Sequence, residues 1–401
     1  YSAEATSNFL RNSNRFPLAG RGDINTYAVF AELLRRLTGQ RGRAGIIVPT
    51  GIATDHTTRE FFADLVARRS LVSLYDFENR KGIFAGVHRS YKFCLLTLAG
   101  GGRPAHAAEF AFFCHEVADL ADPERRFTLA AEDFRLLNPN TRTAPIFRSR
   151  RDAELTKHIY RRVPVLIEEE KGAAGNPWHL EFMRLFDMAN DSGLFRTREQ
   201  LEGKGFRLEG NVFLRGSERW LPLYEAKMVH QFDHRFGDYS MQPPGSKDTQ
   251  LPEVPLERLA DPDYRVLPRY WVPEDEVEDR LRAKGWDRGW LLGWRDIARS
   301  TDERTVIAGV IPRVGVGDKF LLIFGGARES AVLLVAILNS LTLDYSARQK
   351  VGGTSLKYFT MKQLPVPQPA VFLRESPWSP AETLSEWLRR RVLELTYTAW
   401  D

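Results

Sequence analysis

The residues with the clearest chemical potential form a basic turn late in the chain. Arg348, Lys350 and Lys357 flank two consecutive glycines that are followed by Thr354 and Ser355. The glycines let the backbone approach a ligand closely, the hydroxyls donate hydrogen bonds, and the three cations neutralise phosphates. We therefore predict phosphate contacts at this turn. A solvated basic turn with no ligand is the open alternative.

A second group of polar residues follows an apolar run in the middle of the chain. Lys227, His230, Gln231 and Arg235 lie within nine positions of one another. Cations and amides at this density are typical of an edge that faces DNA, where they contact phosphates and bases. We predict such an edge here, with ordinary surface charge as the alternative for each residue.

Glu225 and Lys227 allow a different chemistry, because Glu-x-Lys is half of a metal-dependent nuclease signature. In that signature carboxylates hold Mg²⁺ and the lysine polarises water or phosphate. The other half is an upstream aspartate, usually after a proline. The nearest upstream aspartates are Asp187 and Asp191, and neither follows a proline. Nuclease therefore remains the lesser alternative.

The elements that position the earlier residues alternate between helix and strand periodicity. Apolar spacing predicts helices at 26–38 and 57–68, and short apolar runs predict strands at 44–49, 71–77 and 92–98. This order is typical of half of an open α/β sheet with helices packed on its faces.

The rest of the chain divides by the strength of these patterns. We predict a first domain at 1–105 and a partly helical connector at 106–200, where periodicity weakens. Short apolar runs between Gly and Pro turns predict a mixed α+β domain at 201–370. A helical segment is predicted at 371–401.

Composition limits the classes of protein that remain. The only cysteines are Cys94 and Cys114, without metal-ligand spacing, so we expect no disulfide framework, no structural zinc and a cytoplasmic location. The longest apolar run, 331–338, is too short to cross a membrane. The net charge of +5 only mildly favours an anionic partner. Because the chain begins with Tyr1, we expect a segment of a larger protein.

Several segments resemble a known family in their order along the chain. DINTYAVF at 23–30 and GIIVPT at 45–50 resemble the later motifs of adenine-N6 DNA methyltransferases. Segments at 82–93, 138–154 and 223–235 are also similar to parts of these proteins. The likeness is to the large type IIG-like enzymes of restriction–modification and phage-defence systems, which carry a fused target-recognition domain.

This resemblance implies a fold, a cofactor and partners. The fold is α/β: the second half of a Rossmann-like methyltransferase sheet, followed by a mixed α+β target-recognition domain. The implied cofactor is S-adenosylmethionine, and the implied partners are double-stranded DNA and a restriction nuclease domain or defence-system subunits. Asp23, Tyr27, Pro49, Tyr91 and Phe93 would line the cofactor or target-base pocket. In the alternative interpretation, Asp23 caps the helix, Pro49 ends its strand, and the aromatic residues pack in the core.

The family also needs residues that we do not find in this chain. S-adenosylmethionine binds at a Gly-rich turn with an acidic residue on the ribose, and the extruded adenine binds an Asn/Asp-Pro-Pro-aromatic motif. The nearest match, at 138–140, has one proline and no following aromatic. We therefore predict that this chain contains no catalytic residue and is inactive by itself. We expect the whole parent protein to be a methyltransferase. A non-catalytic DNA-specificity subunit is the alternative.

Overall fold

The computed structural model describes residues 2–243, 245–246, 248–326 and 328–400. The chain forms two compact units, Tyr1–Glu170 and Lys171–Asp401, where the sequence pattern predicts four segments. Each unit has its own hydrophobic core.

The first unit contains a mixed sheet of five strands among its described residues. These are β1 (Arg43–Pro49), β2 (Leu71–Glu78), β3 (Lys92–Ala99), β4 (Ala107–Cys114) and β5 (Phe127–Ala130). Their order across the sheet is β1-β3-β2-β4-β5. β2 and β4 are parallel, and the other neighbouring pairs are antiparallel. The predicted α/β class is confirmed, whereas a Rossmann-like sheet stays a prediction.

The strands β4 and β5 correct the predicted domain boundary. Both lie in the predicted connector 106–200, yet β4 pairs with β2 and β5 pairs with β4. Phe110 and Phe112 of β4 are buried and pack with Phe127 of β5 in the core of the unit. The first unit therefore ends at 170 rather than at 105.

Six helices pack around this sheet in the described part of the unit. They are α1 (Ser2–Asn12), α2 (Thr26–Leu37), α3 (Gly51–Thr54), α4 (Arg59–Ala67), α5 (Ala131–Leu137) and α6 (Arg150–Arg162). In the alternative interpretation of the sequence, Asp23 caps α2. In the structure, the residue directly before α2 is instead Asn25, whose backbone is extended. Phe62 of α4 is buried and meets Phe134 of α5 edge to face at 5.8 Å.

The turn after β3 packs closely against the turn before β1. The Gly100 N–H donates to the Gly42 carbonyl at 3.1 Å. A Cβ atom at Gly100 would lie 2.0 Å from the Gly39 carbonyl oxygen, so one of the two backbones would have to move. We expect Gly100→Ala to lower the free energy of unfolding by about 1–2 kcal/mol in denaturant titration. Gly101→Ala is the control, because its nearest atom is the flexible Gln40 Oε1; equal losses would contradict this packing argument.

The second unit contains two larger sheets and a hairpin among its described residues. Its strands are β6 (Leu180–Met183), β7 (Arg207–Glu209), β8 (Val212–Arg215), β9 (Glu218–Tyr224), β10 (Trp271–Pro273), β11 (Trp290–Arg295), β12 (Ala308–Pro312), β13 (Gly315–Val316), β14 (Phe320–Gly325), β15 (Glu375–Ser376) and β16 (Ser379–Thr383). One sheet has the order β10-β9-β8-β7 with β13 beside β9, and the other has the order β12-β11-β14-β6. β15 pairs with β16.

The helices of the second unit lie between and beside these sheets. They are α7 (Arg198–Glu202), α8 (Leu256–Leu259), α9 (Glu274–Arg282), α10 (Arg328–Leu338), α11 (Leu341–Arg348), α12 (Tyr358–Lys362) and α13 (Leu384–Thr396). α13 contacts α10, so the predicted segment 371–401 belongs to the same compact unit as 201–370. No single described helix is long and apolar enough to span a membrane. Only α10 and α11 taken together meet that length and apolarity, and they are bent by 59° relative to each other.

Candidate functional site

A cleft of about 630 Å³ opens in the second unit, and charged side chains from separate parts of the chain line it. Five lysines or arginines and four aspartates or glutamates contribute to the lining, together with His230 and Gln250. Several of the acids already have partners: Lys319 pairs with Asp318 at 2.6 Å, and Asp302 accepts the Arg299 N–H at 2.9 Å. Arg295, Arg299 and Arg304 remain without an ion-pair partner among the described residues.

The basic wall of the cleft is a loop that begins where β11 ends, and Asp344 fixes its far end. The buried Asp344 carboxylate accepts the N–H groups of Thr305 and Val306 at 2.7 and 2.8 Å. β11 supplies Arg295 at the near end, and the loop supplies Arg299 and Arg304. Sequence reasoning did not select these arginines, although the density of arginine in 295–304 was a usable signal.

Arg348, predicted to contact phosphate, anchors this loop through hydrogen bonds from its guanidinium group. Its Nε donates to the Asp344 carboxylate at 2.9 Å. Its remaining donors bind the carbonyls of Ser300, at 3.2 Å, and of Glu303. The guanidinium is thus occupied by loop anchoring, which corrects the prediction that it faces phosphate.

The predicted basic turn lies directly beside the same loop. Ile297 and Ser355 form an antiparallel β-bridge, and the Ala298 N–H donates to the Thr354 carbonyl at 3.1 Å. Ile297 lines the cleft and is exposed, as is Thr354. The structure therefore places Thr354 and Ser355 beside the loop that lines the cleft, a position that the sequence alone does not give.

The two lysines of that turn have environments that differ from the prediction. The Lys357 ammonium pairs with the buried Asp296 carboxylate at 2.6 Å. Burial lowers the pKa of Lys350 well below its ordinary value, which disfavours the charged form that a phosphate would need. Both lysines are therefore better explained by the interior of the unit than by a phosphate surface.

Lys227 and Glu225 stand close together in the lining of the same cleft. Glu225 accepts the Tyr239 hydroxyl at 2.6 Å, and the Lys227 ammonium lies 3.8 Å from Glu225 and 4.8 Å from the Tyr239 ring centroid. The carboxylate and tyrosine hydroxyl share a hydrogen bond, and burial together with Glu225 raises the pKa of Tyr239. Lys227 still reaches the cleft surface.

The nuclease alternative needs a second carboxylate beside Glu225, and the nearest upstream candidates have other partners. Asp187 accepts the N–H groups of its own turn at 3.0 Å. Asp191 pairs with Arg280 at 3.0 Å. Over the described parts of the chain, no group of three or more His, Cys, Asp or Glu is arranged to hold a metal. The geometry does not favour this alternative.

His230 and Gln231 continue from Lys227 along the cleft. Burial, and then the charge of Arg295, lower the pKa of His230, so the imidazole is neutral at neutral pH. The Gln231 amide donates to the Val306 carbonyl at 3.0 Å, which ties this segment to the base of the arginine-rich loop. His230 therefore lines the cleft, whereas Gln231 helps to build it.

Arg235, predicted to face DNA, is a fully buried residue. Its side chain is 0% exposed and donates to the carbonyls of Leu259, Asp261, Tyr264 and Thr398 at 2.8 to 3.2 Å. A guanidinium surrounded by backbone carbonyls holds distant segments together and cannot reach a nucleic acid. The structure corrects this prediction.

In the first unit, some of the predicted pocket residues meet at the carboxyl end of β1. Pro49 lies opposite Phe93 in the β1–β3 ladder. The Phe93 ring stacks on Phe77 at 5.5 Å and meets Phe84 at 4.9 Å, which favours the packing alternative. Tyr91 is 65% exposed beside this group, and its ring is available for contacts.

Tyr27 lies at the turn that follows Pro49, whereas Asp23 does not join the group. A Cβ atom at Gly51 would lie 3.3 Å from the Tyr27 hydroxyl, so the ring lies over this turn. Burial and the nearby Asp55 raise the pKa of Tyr27 to about 12, and burial raises the pKa of Asp55. Asp23 is exposed ahead of α2.

A buried aspartate beneath this edge was not selected from the sequence. Asp76 accepts the Thr50 hydroxyl and the Phe113 N–H, the latter at 3.0 Å. Burial raises the pKa of Asp76. Phe113 has a φ of +59°, an unusual value for an aromatic residue. The available signal was a single acid in the mostly apolar run 71–77.

These residues form only part of what S-adenosylmethionine would need. Tyr27, Asp55 and Tyr91 are side chains that suit contacts with a nucleoside, whereas the cofactor also needs a Gly-rich turn and an acidic residue for its ribose. The glycine turn at 100–102 directs its N–H groups to the carbonyls of Gly42 and Gln40. Binding of S-adenosylmethionine therefore stays a prediction for the whole protein.

Comparison with known proteins finds likeness only among solved structures. No protein-family model and no curated protein sequence matches the chain. The chain is similar to the type IIG restriction endonuclease BpuSI, with a TM-score of 0.33 and 13% identity over 98% of this chain and 47% of that one. It is also similar to the type IIL restriction–modification enzyme MmeI in complex with DNA, with a TM-score of 0.46 and 10% identity over 94% and 48%. The chain thus spans about half the length of both.

Proposed function

We propose that the second unit is a target-recognition domain that binds double-stranded DNA at its cleft, as part of a restriction–modification enzyme. One observation carries the proposal: the arginine-rich loop lines one cleft together with Lys227 and His230, and the Ile297–Ser355 bridge holds the hydroxyl-bearing turn beside that loop. Cations and a histidine thus line one opening, with hydroxyl groups on the neighbouring turn. Such a combination suits phosphate contacts with nearby base contacts.

The unpaired cations of the cleft support an anionic ligand. The guanidinium groups of Arg299 and Arg304 make no hydrogen bond or ion pair with any residue in the described ranges. Both belong to the loop whose backbone Asp344 fixes. DNA phosphates would supply acceptors, and binding would release counterions.

For the first unit, we propose the closing half of the sheet of an adenine-N6 DNA methyltransferase. The order of its sequence motifs supports this proposal, as does the polar and aromatic group at the carboxyl end of β1, the end of a strand where ligands bind in α/β sheets. In the whole protein, S-adenosylmethionine would supply the methyl group. Tyr27 and Tyr91 would contribute to the pocket for that cofactor or for the target adenine. A nuclease domain or defence-system subunits would be further partners.

The DNA-binding proposal is tested by removing two of the unpaired charges of the cleft, those of Arg299 and Arg304. We expect Arg299→Gln with Arg304→Gln to weaken duplex binding about 10-fold near 0.1 M salt and to reduce the slope of log Kd against log salt by about two. Fluorescence anisotropy over a salt series measures both quantities.

Arg198→Gln with Arg282→Gln is the matched control, because these arginines are exposed in the same unit and pair with their own helix neighbours. We expect the control to keep the parent affinity and slope. Equal losses in both pairs would indicate a general charge effect and would count against the cleft. A separate DNA-specificity subunit would give the same binding result, so methyl transfer by the whole protein distinguishes that alternative.

A further inference from the structure

Arg295 differs from Arg235 and Arg313, two other buried or partly buried arginines of the second unit. Arg313 forms two hydrogen bonds with Glu278 at 2.7 Å, and Arg235 binds four carbonyls. The Arg295 guanidinium makes no hydrogen bond or ion pair with any described residue, although its Nε is inaccessible to solvent. A desolvated cation without a partner is unfavourable for stability.

The position of Arg295 explains what such a cation could bind. It is the last residue of β11, and its N–H donates to the Ile307 carbonyl at 2.9 Å, so its backbone is fixed. Its side chain lies at the wall of the cleft near His230, whose pKa its charge helps to lower. Burial lowers the pKa of Arg295 itself, and Asp302 only partly opposes this effect. The group faces the opening with its donors available.

We propose that Arg295 is a phosphate clamp that binds one backbone phosphate of the DNA, an inference that rests on the proposed function. A guanidinium presents paired donors that match the oxygens of a phosphodiester. Phosphates lie on the outside of a duplex and enter a concave cleft first, whereas base edges are reached by elements that project into a groove. Ile297 is exposed and lines the cleft, so it is positioned for that second role.

Replacing single phosphates tests the clamp. The 401-residue chain is used to select a preferred duplex from a randomised pool, and each phosphate of that duplex is then replaced by an uncharged methylphosphonate. We expect one position at which the replacement weakens binding by the parent protein about 10- to 100-fold, as expected for hydrogen bonds to a charged group. Arg295→Gln should show a similar loss on the native duplex and no further loss at that position.

Arg304→Gln is the matched control, because it removes an arginine from the same cleft. It should retain sensitivity to the phosphate that Arg295 binds. If methylphosphonate replacement further weakened DNA binding by Arg295→Gln at every phosphate position, the clamp proposal would be overturned. An altered base preference with an unchanged salt slope would also overturn it, because that result would indicate base reading instead. If the parent does not bind duplex DNA, the proposed function fails, and the clamp fails with it.

Thermal unfolding separates a binding role from a structural role. Because the Arg295 charge is desolvated and unpaired in the free protein, Arg295→Gln should leave the Tm unchanged or raise it. Replacing an arginine that stabilises the fold would instead lower the Tm. A lower Tm together with lost DNA binding would assign Arg295 to the fold and overturn the proposal.

Discussion

Replacing Arg235 with methionine is expected to lower the free energy of unfolding of the second unit by about 3–5 kcal/mol. Arg235 is fully buried, and its guanidinium donates to the carbonyls of Leu259, Asp261, Tyr264 and Thr398. Methionine fills much of the volume but supplies no donor. Several buried acceptors would then lose their hydrogen bonds together.

Denaturant unfolding measures this loss, and two further variants sharpen it. Arg235→Lys keeps the charge with fewer donors and should fall between the parent and the methionine variant. Arg282→Met removes an arginine that is 73% exposed and should change stability by less than about 0.5 kcal/mol. If Arg235→Met were as stable as the parent and bound DNA more weakly, Arg235 would be a DNA contact as the sequence pattern predicts.

The second large effect is expected at Lys357, which the sequence pattern assigns to phosphate binding. Its ammonium is 2.6 Å from the Asp296 carboxylate, which is 1% exposed and whose other oxygen has no hydrogen-bond partner among the described residues. Lys357→Met leaves that carboxylate buried and unpaired. We expect a loss of about 3 kcal/mol of folding free energy, because a buried charge without its partner is strongly unfavourable.

A double variant distinguishes the structural and phosphate-binding roles of Lys357. Asp296→Asn removes the charge that Lys357 neutralises, so Asp296→Asn with Lys357→Met should recover most of the stability that the single change loses. Chemical denaturation of the parent, both single variants and the double variant gives the coupling energy. Additive losses, with DNA affinity falling in every protein that lacks Lys357, would instead support the phosphate contact.

The first unit was predictable where its hydrophobic pattern is local. The strands at 44–49, 71–77 and 92–98 were predicted within about one residue, because each is an apolar run bounded by turn residues. β4 and β5 were not separated from the connector because their pairing depends on distant partners. β4 joins β2 in parallel across more than thirty residues, and β5 has only four residues.

The candidate site shows a similar limit for charged residues. Lys227 and Arg235 are eight positions apart and look equally suited to bind DNA, yet one reaches the cleft and the other is enclosed by carbonyls. The residues that enclose Arg235 lie at 259–264 and at 398, so no local pattern contains the distinction. Arg295 was overlooked for the same reason, because its lack of a partner is a property of the tertiary structure.

The anchoring of the arginine-rich loop also bears on how this protein can change over time. Asp344 holds the loop through the N–H groups of Thr305 and Val306, and Arg348 holds it through the carbonyls of Ser300 and Glu303. Every residue type except proline offers the same N–H and carbonyl groups. Side chains that make no anchoring contact, such as those of Arg299 and Arg304, can therefore be exchanged while the loop keeps its position. Under the proposed DNA-binding role, such a loop would allow new target preferences to evolve on an unchanged scaffold.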